Sequence, residues 1–218
     1  MTPSQIRKLF ERFEAADPAP KTELNYTSPY TLVVAVALSA QATDVSVNKA
    51  TARLFALADT PAAMVALGLE RITEEIRTIG LFRNKAKNVL ALSQIVLDRH
   101  GGEVPLNRED LQALPGVGRK TASVVLNELG IEPAVAVDTH VFRVAHRLGL
   151  ADGKTPDAVE RQLKAVIPAR WLQRAHHWLI LHGRYVCVAR NPRCAACPVA
   201  DLCPSRATAP PTKGKTPV

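Results

Sequence analysis

Aromatic residues make up only 5% of this 218-residue chain, and methionine occurs twice. That scarcity suits a β-sandwich poorly, while abundant alanine favours helices. Long apolar runs are missing as well. The longest, 32–38, falls far short of the ~20 residues that span a bilayer. The opening Met-Thr-Pro-Ser-Gln-Ile-Arg has none of the apolar stretch of a signal peptide. We therefore expect no membrane association and a cytoplasmic, bacterial-type location. A disulfide scaffold is excluded by where the thiols lie. All four cysteines fall between Cys187 and Cys203, whereas a secreted framework spreads them over the fold. Such crowding in a reducing compartment points to metal ligation.

What is present is a balanced globular composition, 47% hydrophobic and 22% charged, with a formal net charge of +8. This allows one or two compact domains with cores and excludes a disordered chain. A basic balance attracts polyanions, of which nucleic acid is the commonest. A merely soluble basic surface would carry the same charge, so charge alone decides nothing.

Helix-start signals recur along the chain. Thr2-Pro3, Ser28-Pro29, Thr60-Pro61 and Thr155-Pro156 each set a capping hydroxyl before a proline suited to the first helical position. Ile6, Leu9, Phe10 and Phe13 mark one face of a first helix. Residues 29–40 are apolar all round, so periodicity does not separate a buried helix from a strand; length, cap and alanines favour the helix. Asp44 is expected to cap a segment running to about Ala56. Further helices are expected near 61–67, 70–78, 84–99, 108–114, 119–129, 138–148, 156–166 and 170–186. The fold class is all-α, with no internal repeat. Residues 207–218, rich in Pro, Thr and Lys, are expected to form a disordered tail.

Two segments between helices stand out. In Leu-Pro-Gly-Val-Gly-Arg-Lys-Thr-Ala (114–122), Pro115, Gly116 and Gly118 permit a tight turn and close backbone approach. The amides that open the next helix then suit a phosphate. The pattern is similar to the helix-hairpin-helix motif, which grips one DNA backbone without reading sequence. Gly116, Val117, Gly118, Arg119 and Thr121 are the candidate backbone contacts. Lys120 falls in the first turn of that helix, beside Arg119. Both the positive helix end and the arginine work against an ammonium there, which suits an amine that must be neutral to attack carbon. A phosphate-binding lysine would look the same. The second segment, Val-Asp-Thr-His (137–140), offers Asp138 as a plain N-cap or as a catalytic carboxylate. Position alone favours the cap.

Cys187, Cys194, Cys197 and Cys203 are separated by six, two and five residues. Four thiolates suit either Zn²⁺ or a 4Fe–4S cluster. Structural zinc sites more often pair two C-x2-C elements, and only one occurs here, so the spacing leans to iron–sulfur while leaving zinc open. Arg190 and Arg193, in the loop between the first two ligands, are candidates for a phosphate contact.

In combination these motifs resemble the endonuclease III family of bifunctional DNA glycosylases and abasic-site lyases. The likeness extends to Leu-Ser-Ala-Gln-Ala-Thr-Asp (38–44), Ile-Gly-Leu-Phe (79–82) and Trp-Leu-Ile-Leu-His-Gly-Arg-Tyr (178–185), and covers 1–206. Ser123 stands where the family often has Asn. The resemblance implies Lys120 as nucleophile, Asp138 as catalytic carboxylate and a structural 4Fe–4S cluster on the four cysteines. It also implies Gln41 and Leu81 as wedges between base steps, and places His140 in the active-site motif. The substrate implied is duplex DNA holding damaged pyrimidines or abasic sites, bound by a monomer that associates with the nucleoid.

The fold so implied has two helical lobes with a DNA-binding cleft between them. Residues 22–132 form a helical barrel with the hairpin, and 1–21 join 133–206 in a discontinuous cluster domain. Two rivals share features. A monofunctional adenine glycosylase lacks the lysine at 120 and usually carries an extra C-terminal domain. A non-enzymatic iron–sulfur DNA-binding module needs neither Lys120 nor Asp138.

Overall fold

The computed structural model describes residues 1–208. Among the described residues there are helices and no strands. The chain divides into two compact units, one of Thr22–Glu132 and one of Met1–Lys21 with the described residues from Pro133 onward.

The first unit holds α2 (Pro29–Ser39), α3 (Asp44–Leu57), α4 (Pro61–Glu75), α5 (Phe82–His100), α6 (Arg108–Ala113) and α7 (Arg119–Glu128). Every α2 residue from Tyr30 to Leu38 is buried. The all-apolar segment is thus a helix at the centre of its unit, packed against α3, α5 and α7. Ser28 and Thr31 form a capping box at its start, which fixes where the helix begins. At α3 the cap is Thr43, whose hydroxyl accepts from the Ser46 amide, and the expected Asp44 is instead the first helical residue. An acid there still suits the positive helix end. α4 is broken at Gly68, which takes φ 78° and ψ 165°; the two helices expected around it are two segments meeting at that residue. Glu75, buried at the end of α4, is held by Arg71 at 2.7 Å and Arg53 at 3.2 Å.

The second unit holds α1 (Pro3–Ala16), α8 (Thr139–Leu148), α9 (Pro156–Val166) and α10 (Ala169–Tyr185), followed by the cysteine loop. Both tryptophans lie here. Phe10 stacks on Trp171 at 5.8 Å between ring centroids, and Phe13 on Trp178 at 6.4 Å. Each indole N–H is satisfied from the N-terminal segment, Trp171 donating to Glu14 at 2.9 Å and Trp178 to the Asp17 carbonyl at 2.8 Å. Arg12 of α1 also pairs with Asp201 beyond the cysteine loop. The opening helix is therefore tied to both α10 and the segment around the thiols. A short 3-10 helix, Pro204–Thr208, takes in the first two residues of the tail expected at 207–218; 209–218 lie outside the described residues. No single helix among the described residues is long and apolar enough to cross a membrane.

Phe10 is fully buried at the middle of the aromatic cluster. Phe10→Ala is expected to lower unfolding free energy by about 3–5 kcal/mol in urea titration. A loss below ~1 kcal/mol would show that the α1–α10 contact does not carry this unit.

Candidate functional site

The sequence 107–123 builds a rigid hairpin. Asn107 caps α6 by accepting from the Asp110 amide at 2.9 Å. The chain then turns through Leu114–Val117, where the Val117 amide donates to the Leu114 carbonyl at 3.0 Å. Gly116 takes φ 80°, and a Cβ there would lie 3.1 Å from the Asn88 side chain. Both features call for glycine. Val117 is buried and anchors the turn from beneath. Arg108 locks α6 to α7: it donates to Ser123 at 2.9 Å and forks onto Glu132 at 3.2 and 2.8 Å. α7 begins from Gly118 with no side-chain cap. Arg119 and Lys120 are exposed in its first turn, and Thr121 is half-buried. The amine singled out by the sequence is on the surface, at a helix start.

Gln41 and Leu81 come together with this hairpin. Both adopt left-handed backbone, φ 55° and 60°, unusual for residues with a Cβ. Leu81 is 60% exposed, so it is no ordinary packing contact. A cavity of about 170 Å³ is lined by Gln41, Leu81, Asn84, Lys85, Asn88 and Gly116 among others. Lys85, which sequence reasoning passed over, is only 8% exposed, and its Nζ has no hydrogen-bond partner among the described residues. Burial pushes its pKa down from the ordinary lysine value. The signal was present in the helical period: positions 85, 89, 92 and 96 share the buried stripe of α5, whereas Lys87 is exposed.

In the second unit Asp138 is the N-cap of α8, its Oδ1 accepting from the amides of His140 and Val141, both at 2.8 Å. His140 lies where α8 meets α10: a Cβ on Gly183 would sit 2.9 Å from the His140 Cβ. Arg143 reaches the His140 Nδ1 at 3.3 Å and donates to the Gly183 carbonyl at 2.8 Å.

The cysteine loop follows α10. All four thiols are free and half-buried, and all four line one cavity with Leu148, His182 and Pro192. Two arginines not singled out by the sequence hold the loop. Arg143 donates to the Cys187 carbonyl at 3.0 Å, and Arg147 to the Val188 and Ala189 carbonyls at 2.8 and 3.0 Å. Their spacing of four on α8 puts both on one face. Burial, then repulsion from the neighbouring thiolates, pushes Cys197 and Cys203 up. Crowded thiolates of this kind call for a positively charged group between them, and four sulfurs around one cavity fit an iron–sulfur cluster. Four thiolates can hold either a zinc ion or an iron–sulfur cluster. Arg190 and Arg193 are exposed on the loop, flanking Asn191 with its φ of 53°.

A tight hairpin opening a helix, together with a four-cysteine iron–sulfur loop on an all-helical frame, defines a DNA-backbone-binding class of protein. Residues 34–169 match the HhH-GPD superfamily of base excision DNA repair proteins, and residues 187–203 match the iron-sulfur binding domain of endonuclease III. The chain is 53% identical to endonuclease III of Escherichia coli (strain K12) over 93% of its own length and 96% of that protein. It is also similar to a solved non-covalent endonuclease III–DNA complex (TM-score 0.88) and to a trapped endonuclease III–DNA covalent intermediate (0.87). Both are 43% identical and cover 95% of this chain and 98% of theirs. The chain therefore belongs to the endonuclease III family of the HhH-GPD superfamily. It is a DNA glycosylase and abasic-site lyase that binds DNA and carries a 4Fe–4S cluster.

Gly116→Ala forces a Cβ into left-handed backbone and against Asn88. We expect a loss of about 1–3 kcal/mol in thermal unfolding. Affinity for undamaged duplex should fall with it, and unchanged affinity would separate the hairpin from DNA binding.

Proposed function

We propose that this enzyme removes oxidised pyrimidines from duplex DNA through a Schiff base on Lys120, and then cleaves the strand 3′ to the abasic site by β-elimination. The observation that carries this reading is Lys120 itself, an exposed amine in the first turn of a helix that a rigid hairpin presents. The covalent DNA intermediate trapped for a similar protein supports it.

The damaged nucleotide swings out of the stack, at a cost of a few kcal/mol. Gln41 and Leu81, held outward by left-handed backbone, fill the gap it leaves. Lys120 Nζ attacks C1′ as the bond from C1′ to the base breaks and the base departs with its electron pair. The amine loses a proton and the sugar ring opens, giving an imine at C1′. Loss of a C2′ proton then drives expulsion of the 3′ phosphate.

Asp138 accepts a proton and stabilises the positive charge that develops on the sugar as the base leaves. The same carboxylate caps α8, its Oδ1 meeting both amides. The hairpin residues Gly116, Val117, Gly118, Arg119 and Thr121 hold a backbone phosphate, and His140 faces the same DNA. Cys187, Cys194, Cys197 and Cys203 hold the cluster, which shapes the loop that presents Arg190 and Arg193 to another phosphate. The enzyme works as a monomer in the cytoplasm, wherever its DNA is.

Borohydride reduction with oxidised-pyrimidine duplex should give a covalent adduct that Lys120→Ala does not form; an equal yield from the variant would remove Lys120 from the chemistry. Asn caps a helix as well as Asp does, so Asp138→Asn tests charge without loss of fold. Its single-turnover rate should fall about 10²–10⁴-fold with little change in DNA affinity. Equal losses in both would reduce Asp138 to its cap. An Arg190/Arg193 double alanine variant should lower the slope of log affinity against log salt by about 0.9 for each phosphate no longer neutralised. An unchanged slope would leave both arginines solvated.

A further inference from the structure

The mechanism leaves one group unused: the Lys85 amine, nine-tenths buried in the cavity behind Gln41 and Leu81 and without a hydrogen-bond partner among the described residues. We propose that Lys85 is the docking point for the base left behind opposite the flipped nucleotide, donating a hydrogen bond to an acceptor atom on that base's edge.

Three features carry this. An amine in a cavity with no carboxylate lining it is left short of hydrogen bonds and of counter-charge, so what enters must bring an acceptor. The remaining lining offers what a flat base edge needs, amide groups from Gln41, Asn84 and Asn88 beside apolar walls from Ala37, Leu38 and Val89. Amide side chains both donate and accept, and so suit base edges that alternate the two. Gln41 and Leu81, the residues proposed to fill the stack, also line the cavity, and an orphaned base lies next to whatever fills its partner's place. A phosphate is the weaker occupant. It sits outside the base pairs, and exposed Arg119 on the neighbouring hairpin serves it without crossing apolar walls.

The position of Lys85 is held by its helix. It lies one turn from the start of α5, and its neighbour Ala86 and the next-turn residue Val89 are both buried in the core. Burial works in the same direction, since an amine already stripped of water loses less hydration on meeting a base.

The inference rests on the wedge roles of Gln41 and Leu81. It is tested by fluorescence-anisotropy titration of duplexes carrying a tetrahydrofuran abasic analogue opposite guanine, opposite adenine, or opposite a second tetrahydrofuran. Lys85→Met should lose about tenfold in affinity when a base stands opposite, and less than about twofold when that position has none. Lys85→Arg, which keeps a cationic donor, should retain the dependence on the opposite base. If the methionine variant does not fold, Lys85→Gln decides by the same comparison. An equal loss on all three duplexes with a salt slope lowered by about 0.9 assigns a phosphate contact and overturns the proposal. An equal loss with an unchanged slope assigns a purely internal role, and no loss assigns none; both overturn it. A wild-type chain that fails to trap under borohydride counts against the glycosylase chemistry. Trapping without opposite-base selectivity counts against Lys85 alone.

Discussion

Gly116, at φ 80°, leaves no room for a Cβ beside the Asn88 side chain, and the position of the amine at 120 depends on that close approach. The turn it permits brings α7 in directly after α6, and Arg108 then holds the two helices together through Ser123 and Glu132. Two residues into α7 stands Lys120. A bulkier turn would shift the start of the helix, and with it the amine proposed as nucleophile; misplacement of ~1 Å can cost two orders of magnitude in rate. The same contact sets one wall of the cavity that Gln41, Leu81 and Lys85 share. The hairpin, Gln41, Leu81 and the amine at 120 are thus parts of one assembly within residues 22–132, and the proposed backbone grip and gap filling both fall on it.

The two helix starts that matter are finished differently. α7 begins at a glycine with no side-chain cap, a start of the kind that suits an anion. α8 begins at Asp138, which meets two amides with a single oxygen. The contrast suits the two roles proposed for them, a phosphate held at the start of α7 and a catalytic carboxylate at the start of α8. Behind α8, Arg143 and Arg147 turn inward to the carbonyls of the cysteine loop, so α8 supports the cluster region on one face while presenting Asp138 at its end.

Much of this was legible in the sequence, for physical reasons. Hydroxyl–proline pairs mark α1, α2, α4 and α9 because the cap and the fixed proline φ are local properties. The grouped cysteines announce a metal site because thiols crowded in one loop have few other uses. The hairpin glycines read as a turn for the same local reason. What was not legible depends on tertiary surroundings. Left-handed backbone at Gln41 and Leu81 is set by neighbours and not by residue type, so composition gave no hint of it. Asp44 and Thr43 are both good caps, and only packing chooses between them. The burial of Lys85 was within reach of the helical period, but a lysine is assumed to be solvated until its stripe is seen to face the core. Chemistry at Lys120 and Asp138 came from the family resemblance. Spacing alone favoured a phosphate-binding lysine and a plain cap.

Which amine becomes bonded to the sugar decides between this chemistry and any other. Proteolysis and mass spectrometry of the borohydride-trapped complex locate that bond directly. The deoxyribose mass should appear on the peptide containing Lys120. Its appearance on Lys85, on another lysine or on the N-terminal amine would contradict the central claim.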